Sequence, residues 1–386
     1  MKSDIESLPL IKLNSSSDAS YKRPRTCRRV RSTITALVSL TWDRVLSCIA
    51  ETRDIAMGMG LVAGHPPSHF SSWFTQGINH VPCHSHNDYW HRVPLLSALM
   101  AGCSSVEADV WLDGPDLRVG HTSSTLLEGH TFRSLYLDPL LQILEKNNPL
   151  PSTSNASPSA PGSASVQGRR TRRRREDELV GLFGNDPAQT LTILVDFKDD
   201  PERIWDALMQ DLKPLREAGF LSFFNGSERI VRPVTIVATG EAPFHRILEN
   251  ENHRDIFYDA PLDKVTYFSE FGAGVEGSDF AQGGSDEFVY NSENSYYASV
   301  DFRRAIGPLP LNRMTQDQLA RLQSQVSAAH ARGLKVRYWG TPSRPIGLRN
   351  YVWRALVREG VDVLSVDDVY AVTMEDWSSP GWLRST

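Results

Sequence analysis

Eight short apolar runs rich in β-branched residues, with helix-like stretches between several of them, leave this chain few ways to fold. The runs are His80–Cys83, Ser105–Leu112, Thr192–Phe197, Val234–Ala238, Ile256–Tyr258, Tyr297–Asp301, Leu334–Tyr338 and Val361–Ser365. Helical periodicity is clearest over Pro94–Ala101, Pro201–Glu217, Thr315–Arg332 and Leu348–Glu359, and Gly333 and Gly360 suit the ends of the last two. Strands alternating with helices call for parallel pairing through crossovers. Eight such strands close a barrel, so the expected fold is α/β, a TIM-type (β/α)8 barrel. Its least defined arc is Glu241–Ser295, where Gly and Ser crowd and helices are faint.

Two segments do not fit that pattern. Residues 1–75 open with polar, Ser-rich sequence and a basic cluster (Lys22–Arg25 and Arg28–Arg31), followed by the apolar run Ile34–Ala50. Asp43 and Arg44 interrupt that run, and a charged pair at its centre would make a membrane span costly. Its apolar positions recur at helical spacing, so a largely disordered extension with one amphipathic helix is expected, capable of peripheral membrane contact. Asp4, Glu6 and Asp18 argue against a mitochondrial presequence, and no signal peptide stands out. The second segment, about residues 147–184, is Pro/Ser/Ala-rich and then carries six arginines between Arg169 and Arg175. It reads as a disordered surface insertion in a domain spanning residues 76–386.

Composition adds exclusions. With 41 Lys+Arg against 46 Asp+Glu and 40% apolar residues, the chain is an ordinary globular one, and no nucleic-acid partner is expected. Four cysteines in 386 residues are too few for a disulfide framework, and Cys83 and Cys103 read as buried thiols.

The chemistry-bearing residues fall where such a barrel keeps its active site, at the C-terminal ends of strands. The first run ends in Cys83-His84-Ser85-His86-Asn87-Asp88-Tyr89, and the second reads Val106-Glu107-Ala108-Asp109-Val110-Trp111. Strand periodicity puts Glu107 and Asp109 on one face, where two carboxylates in an apolar strand repel each other unless a cation joins them. Mg²⁺ or Ca²⁺ is the simplest such cation. Asp196, near the end of the third run, supplies a third oxygen ligand, and Lys198 lies on the same face to meet an anionic substrate. The short strand Leu117–His121 brings a second imidazole, so that His84 and His121 flank the metal as general acid and base.

This order of motifs resembles the superfamily of PLC-like phosphodiesterases, which includes glycerophosphodiester phosphodiesterases and phosphatidylinositol-specific phospholipases C. The closing segments Val336-Arg337-Tyr338-Trp339-Gly340-Thr341 and Gly360-Val361-Asp362, running on to Asp367-Asp368, extend the likeness. Within the superfamily the sequence is most similar to the fungal altered inheritance of mitochondria protein 6 family. The resemblance implies His84 and His121 as the catalytic pair. It also implies Glu107, Asp109 and Asp196 as ligands of one divalent cation, with Lys198 and Trp339 on the substrate side. His86 and Asn87 take orienting places around the substrate. The first motif departs from the His-Arg-Gly of glycerophosphodiesterases, which leaves open whether His84 or His86 does the proton transfer. Asp367 and Asp368 receive no chemistry.

The function expected on this reading is metal-dependent cleavage of a phosphodiester, either a small glycerophosphodiester or a phospholipid head group. Two other readings stand beside it. His84-x-His86 also suits an amidohydrolase-type metal hydrolase, and the extension and insertion would suit a barrel that binds lipid or membrane without turnover.

Overall fold

The structure is a computed structural model in which residues 77–149, 179–271 and 290–375 are described. The N-terminal extension, the arginine run and the loop aromatics Phe280 and Phe288 lie outside the described residues. Among the described residues the strands are β1 (Val81–Ser85), β2 (Cys103–Asp113), β3 (Asp116–Val119), β4 (Leu191–Phe197), β5 (Phe223–Phe224) and β6 (Arg229–Ile230). They continue with β7 (Val234–Gly240), β8 (Ile256–Pro261), β9 (Ser295–Asp301), β10 (Lys335–Trp339) and β11 (Val363–Val366). The helices are α1 (Leu96–Ala101), α2 (Asp138–Asn147), α3 (Pro201–Asp211), α4 (Lys213–Glu217) and α5 (Phe244–Leu248). After these come α6 (Leu262–Phe271), α7 (Phe302–Ile306), α8 (Gln316–His330), α9 (Ile346–Arg358) and α10 (Val369–Thr373).

Eight of the strands run parallel in the order β1-β2-β4-β7-β8-β9-β10-β11, and β11 pairs back onto β1. This is the closed eight-stranded barrel that the sequence predicts, with helices in the crossovers. Each predicted run coincides with one barrel strand, usually within two residues. The predicted helix over Pro201–Glu217 is broken into α3 and α4, with Pro214 in the first turn of α4. The arc 241–295 does contain helices, α5 and α6, which its Gly- and Ser-rich composition hides. Its Tyr290 stacks on Tyr258, with ring centroids 5.8 Å apart.

Two expectations change. Cys83 and Cys103 are not thiols but form a disulfide between β1 and β2, with Cα atoms 4.8 Å apart. The insertion is also narrower than 147–184. Val180 and Asn148 exchange hydrogen bonds of 2.8 and 2.9 Å, and Leu182 and Phe183 are buried in the core. The side chains of Leu182 and Phe183 belong to the hydrophobic core, and only their polar neighbours made them look like insertion.

Strand alternation sorts the barrel into an outer and an inner surface. Tyr338 on β10 faces out, its hydroxyl donating to Gln325 Oε1 of α8 at 2.7 Å. Its neighbour Arg337 therefore faces in. The floor inside is apolar, built from Leu194, Phe224, Val237, Phe257, Tyr296, Tyr297 and Val363. Nearer the C-terminal ends of the strands the interior turns polar, and the candidate site lies there.

Candidate active site

Parallel register assembles the acidic centre. Asp109 on β2 stands opposite Asp196 on β4, and Glu107 opposite Leu194. One ligand oxygen from each of Glu107, Asp109 and Asp196 lies within 4.8 Å of the others. Lys198 Nζ sits 2.6 Å from Asp196 Oδ2 and 3.3 Å from Asp109 Oδ2. One lysine does not satisfy three carboxylates: Asp109 Oδ1 and Asp196 Oδ1 are buried with no hydrogen-bond partner. Such orphaned anionic oxygens are costly unless something positive meets them. The geometry therefore fits a hard divalent cation, and the donor set is entirely oxygen.

The electrostatics agree. Burial raises the Asp109 carboxyl above its ordinary range, and the Glu107 charge adds to that rise. Burial likewise raises Asp196 to about 6, against the pull of Lys198. Burial would raise Glu107 too, but the His84 hydrogen bond and the charges of His84 and Arg337 hold it below the usual carboxylate range. A glycine makes room for the cluster. A Cβ on Gly240, which has φ +69°, would stand 2.1 Å from Asp196 Oδ1 and 2.7 Å from the Phe197 carbonyl. Only glycine tolerates both the left-handed backbone and that approach.

Three imidazoles surround the carboxylates at different depths. His84 is fully buried, its Nδ1 2.7 Å from Ser105 Oγ and its Nε2 3.2 Å from Glu107 Oε2. Burial drives its pKa down to about 4, with Arg337 contributing. His86 lies one strand period higher and is partly open to solvent. Its Nδ1 is 2.7 Å from Asp367 Oδ1 and its Nε2 3.8 Å from Glu107 Oε2. Burial works against the charged His86 ring, but the Asp367 hydrogen bond and the nearby carboxylates more than offset it and raise the pKa. His121 arrives by the β2–β3 hairpin, in which Val110 pairs with Val119. The Gly120 N–H then donates to the Asp109 carbonyl at 3.1 Å, and His121 Nδ1 lies 3.3 Å from Asp109 Oδ2 with half its side chain exposed.

The remaining predicted residues also converge on this end. Asn87 adopts φ +49° and its backbone N–H reaches Glu107 Oε2 at 3.3 Å. Trp339 closes β10 at the rim, 41% exposed. Sequence reasoning passed over four participants. Tyr89 hydroxyl sits 2.8 Å from Asp109 Oδ2 and 3.3 Å from His121 Nδ1, bridging carboxylate and imidazole. Ser105 holds His84, and Asp367 holds His86. Arg337 is fully sequestered, 3.2 Å from Asp259 Oδ2 and 3.1 Å from Ser299 Oγ. A signal existed for it: a charged residue inside an apolar strand, two positions from Trp339 and on the same face.

The structure is thus a closed parallel barrel with a carboxylate triad and flanking imidazoles at its C-terminal mouth. Residues 72–259 match the AIM6-like phosphodiesterase domain. The chain is 36% identical over 304 residues to the altered inheritance of mitochondria protein 6 homolog of Arthroderma benhamiae, covering 77% of this chain and 84% of that one. Altered inheritance of mitochondria protein 6 of Eremothecium gossypii is 33% identical over 75% of this chain and 68% of its own. The Saccharomyces cerevisiae protein of that name is 32% identical over 76% and 70%. No solved structure matches significantly. The chain belongs to the altered inheritance of mitochondria protein 6 family.

Proposed function

We propose that the protein is a metal-dependent phosphodiesterase that cleaves a glycerophosphodiester or phospholipid head group by imidazole acid/base catalysis. The observation that carries this reading is the carboxylate triad with two orphaned buried oxygens, flanked by Lys198 and two solvent-facing imidazoles. Glu107, Asp109 and Asp196 would hold Mg²⁺ or Ca²⁺, which supplies neutralisation of the phosphodiester and of charge building at phosphorus. Lys198 offers its ammonium to a non-bridging oxygen, and Trp339 lines the approach.

His86 and His121 are the imidazoles open to a substrate. The role assigned to His84 from sequence therefore passes, on this reading, to His86, while His84 orients Glu107 from below. Asp367 fixes the His86 ring by its Nδ1, leaving Nε2 toward the acidic centre, where it takes or gives a proton. His121 acts on the opposite proton, with Tyr89 and Asp109 setting its ring. Attack by water gives a monoester, and attack by a neighbouring substrate hydroxyl gives a cyclic phosphate. The amidohydrolase reading finds less support, because the ligand group formed among the described residues holds no imidazole.

The test is ³¹P NMR of purified protein with glycerophosphodiesters, lysophospholipids and inositol phospholipids, with Mg²⁺ or Ca²⁺ and again with chelator. Metal-dependent appearance of a monoester or cyclic phosphate supports the proposal. A protein that binds metal yet turns over none of the panel counts against it and favours a lipid-binding barrel.

A further inference from the structure

Among the described residues eleven large apolar side chains are exposed, and their placement is uneven. Trp90, Leu127 and Leu311 lie in segments at the mouth, Trp339 ends β10 there, and Ile346 and Tyr370 lie in the first turns of α9 and α10. These segments follow β1, the β2–β3 hairpin, β9, β10 and β11, which are consecutive around one half of the barrel. Leu311 is 97% exposed at the tip of the loop before α8, and both it (φ +50°) and Asn312 (φ +58°) are left-handed. A leucine held in a disfavoured backbone state with its side chain in water gains nothing from the fold. Such an arrangement points to an external partner.

Charge indicates which partner. The chain is acidic as a whole, yet residues 302–358 contain eleven Lys and Arg and a single acid, Asp317. Of these, Arg337 is buried against Asp259, and Arg304, Arg349, Arg354 and Arg358 pair with carboxylates outside that stretch. Arg303, Arg313 and Arg344 stand exposed beside the apolar tips and have no carboxylate partner among the described residues. Arg313 also lines a surface cavity of about 380 Å³ along α9, together with Arg354 and Arg358, which pair with Glu375 and Glu359. Apolar tips spread over a rim, with arginines between them, suit a bilayer, where Trp and Leu enter the interface and Arg meets lipid phosphate. A nucleic acid would use the charge but leave Leu311 and Ile346 in water.

We infer that the half-rim formed by the loops after β9, β10, β11, β1 and the β2–β3 hairpin is a docking surface for an anionic lipid bilayer. This surface differs from the N-terminal segment expected from sequence to touch membranes. Docked this way, the mouth and its carboxylate centre face the lipid head groups.

The experiment is flotation of the full chain with phosphatidylcholine vesicles and with vesicles containing phosphatidylserine, all in chelator. Binding is thus read without turnover and fails or stands separately from the phosphodiesterase reading. Wild type should float with the anionic vesicles and release as salt rises. The double variants L311D/I346D and R313E/R344E, all at exposed positions, should each lower partitioning by at least about tenfold with unchanged circular dichroism. A third variant, with Arg28, Arg29 and Arg31 replaced by Gln, should still float. The inference is overturned if wild type does not float, or if the rim variants float like wild type while the N-terminal variant does not. It is equally overturned if the rim variants abolish binding to RNA or self-association, with no effect on vesicles.

Discussion

The two walls of the barrel handle charge in opposite ways. On β2 and β4 three carboxylates converge with oxygens left unpartnered, and Lys198 is the main local counterweight. On β8, β9 and β10 the interior charges are mostly matched, Arg337 lying against Asp259 and Ser299, although Arg337 Nη1 and Asp259 Oδ1 lack partners. The first wall leaves negative charge unanswered among the described residues, and the second is a folded-in support. A site that must admit a cation keeps its imbalance, whereas one that serves only the fold removes it.

The largest effect should come from relieving the imbalance. Asp196→Asn is expected to abolish activity and the rise in Tm that Mg²⁺ or Ca²⁺ gives the wild type, yet to raise the Tm of the chelated protein near neutral pH. The sign follows from the raised Asp196 carboxyl. The folded protein holds that proton up to about pH 6, whereas the unfolded chain releases it near pH 4. Chelated wild type should therefore lose stability as pH rises from 4 to 6, by about 1–3 kcal/mol after allowing for relaxation. Melting curves from pH 4 to 7 would show it. A flat wild-type profile, or a variant less stable than wild type in chelator, would mean the carboxylates are already balanced.

Depth separates the histidines. His86→Ala and His121→Ala should each lower kcat by about 10²–10⁴-fold with little change in Tm. His84→Ala should lower Tm as well, because it takes a buried partner from Ser105 and from Glu107, at roughly 1–3 kcal/mol. Steady-state kinetics paired with calorimetry distinguishes the two patterns. If His84→Ala loses activity at unchanged Tm while His86→Ala stays active, the proton transfer returns to His84.

Much of this was legible in the sequence, and the reasons are specific. Strand periodicity placed Glu107 and Asp109 on one face, and the order of the runs placed Asp196 beside them, so the acidic centre could be read from spacing. The disulfide could not, since the pairing of Cys83 with Cys103 depends on β1 lying against β2. Asp367 was dismissed because nothing in its neighbourhood shows that barrel closure brings β11 to His86. The helices of the arc 241–295 escaped notice because α5 is a single short turn and α6 runs directly on from β8. The choice between His84 and His86 is a matter of depth, which one strand period alters and sequence does not show.

The second wall can be broken in a way that the first cannot. Arg337→Met leaves Asp259 buried and uncompensated and should cost about 3–5 kcal/mol. Adding Asp259→Leu should recover most of that loss, since a buried pair replaced by apolar residues is often neutral. A double variant that folds but loses metal affinity would show that Arg337 also steadies Glu107 across the interior. Calorimetry of the single and double variants, with metal titrated into each, reads both effects.

The smallest effect lies outside the interior. His330, in the last turn of α8, places Nε2 2.8 Å from Asp362 Oδ2, and that carboxylate also accepts the Val336 N–H at 2.7 Å. The Asp362 hydrogen bond raises the imidazole pKa, with burial opposing. Because the folded pKa lies above the unfolded one, the stabilisation is complete below the unfolded value, near 6.5, and disappears as pH rises through the folded value. The ring is 42% exposed, so solvent screening keeps the contribution under about 1 kcal/mol. His330→Asn should be slightly less stable than wild type at pH 5.5 and nearly equal to it at pH 8.5. A difference that stays constant across that range would mean the neutral ring merely packs, and charge matching in the β8–β10 wall would then end at the barrel interior.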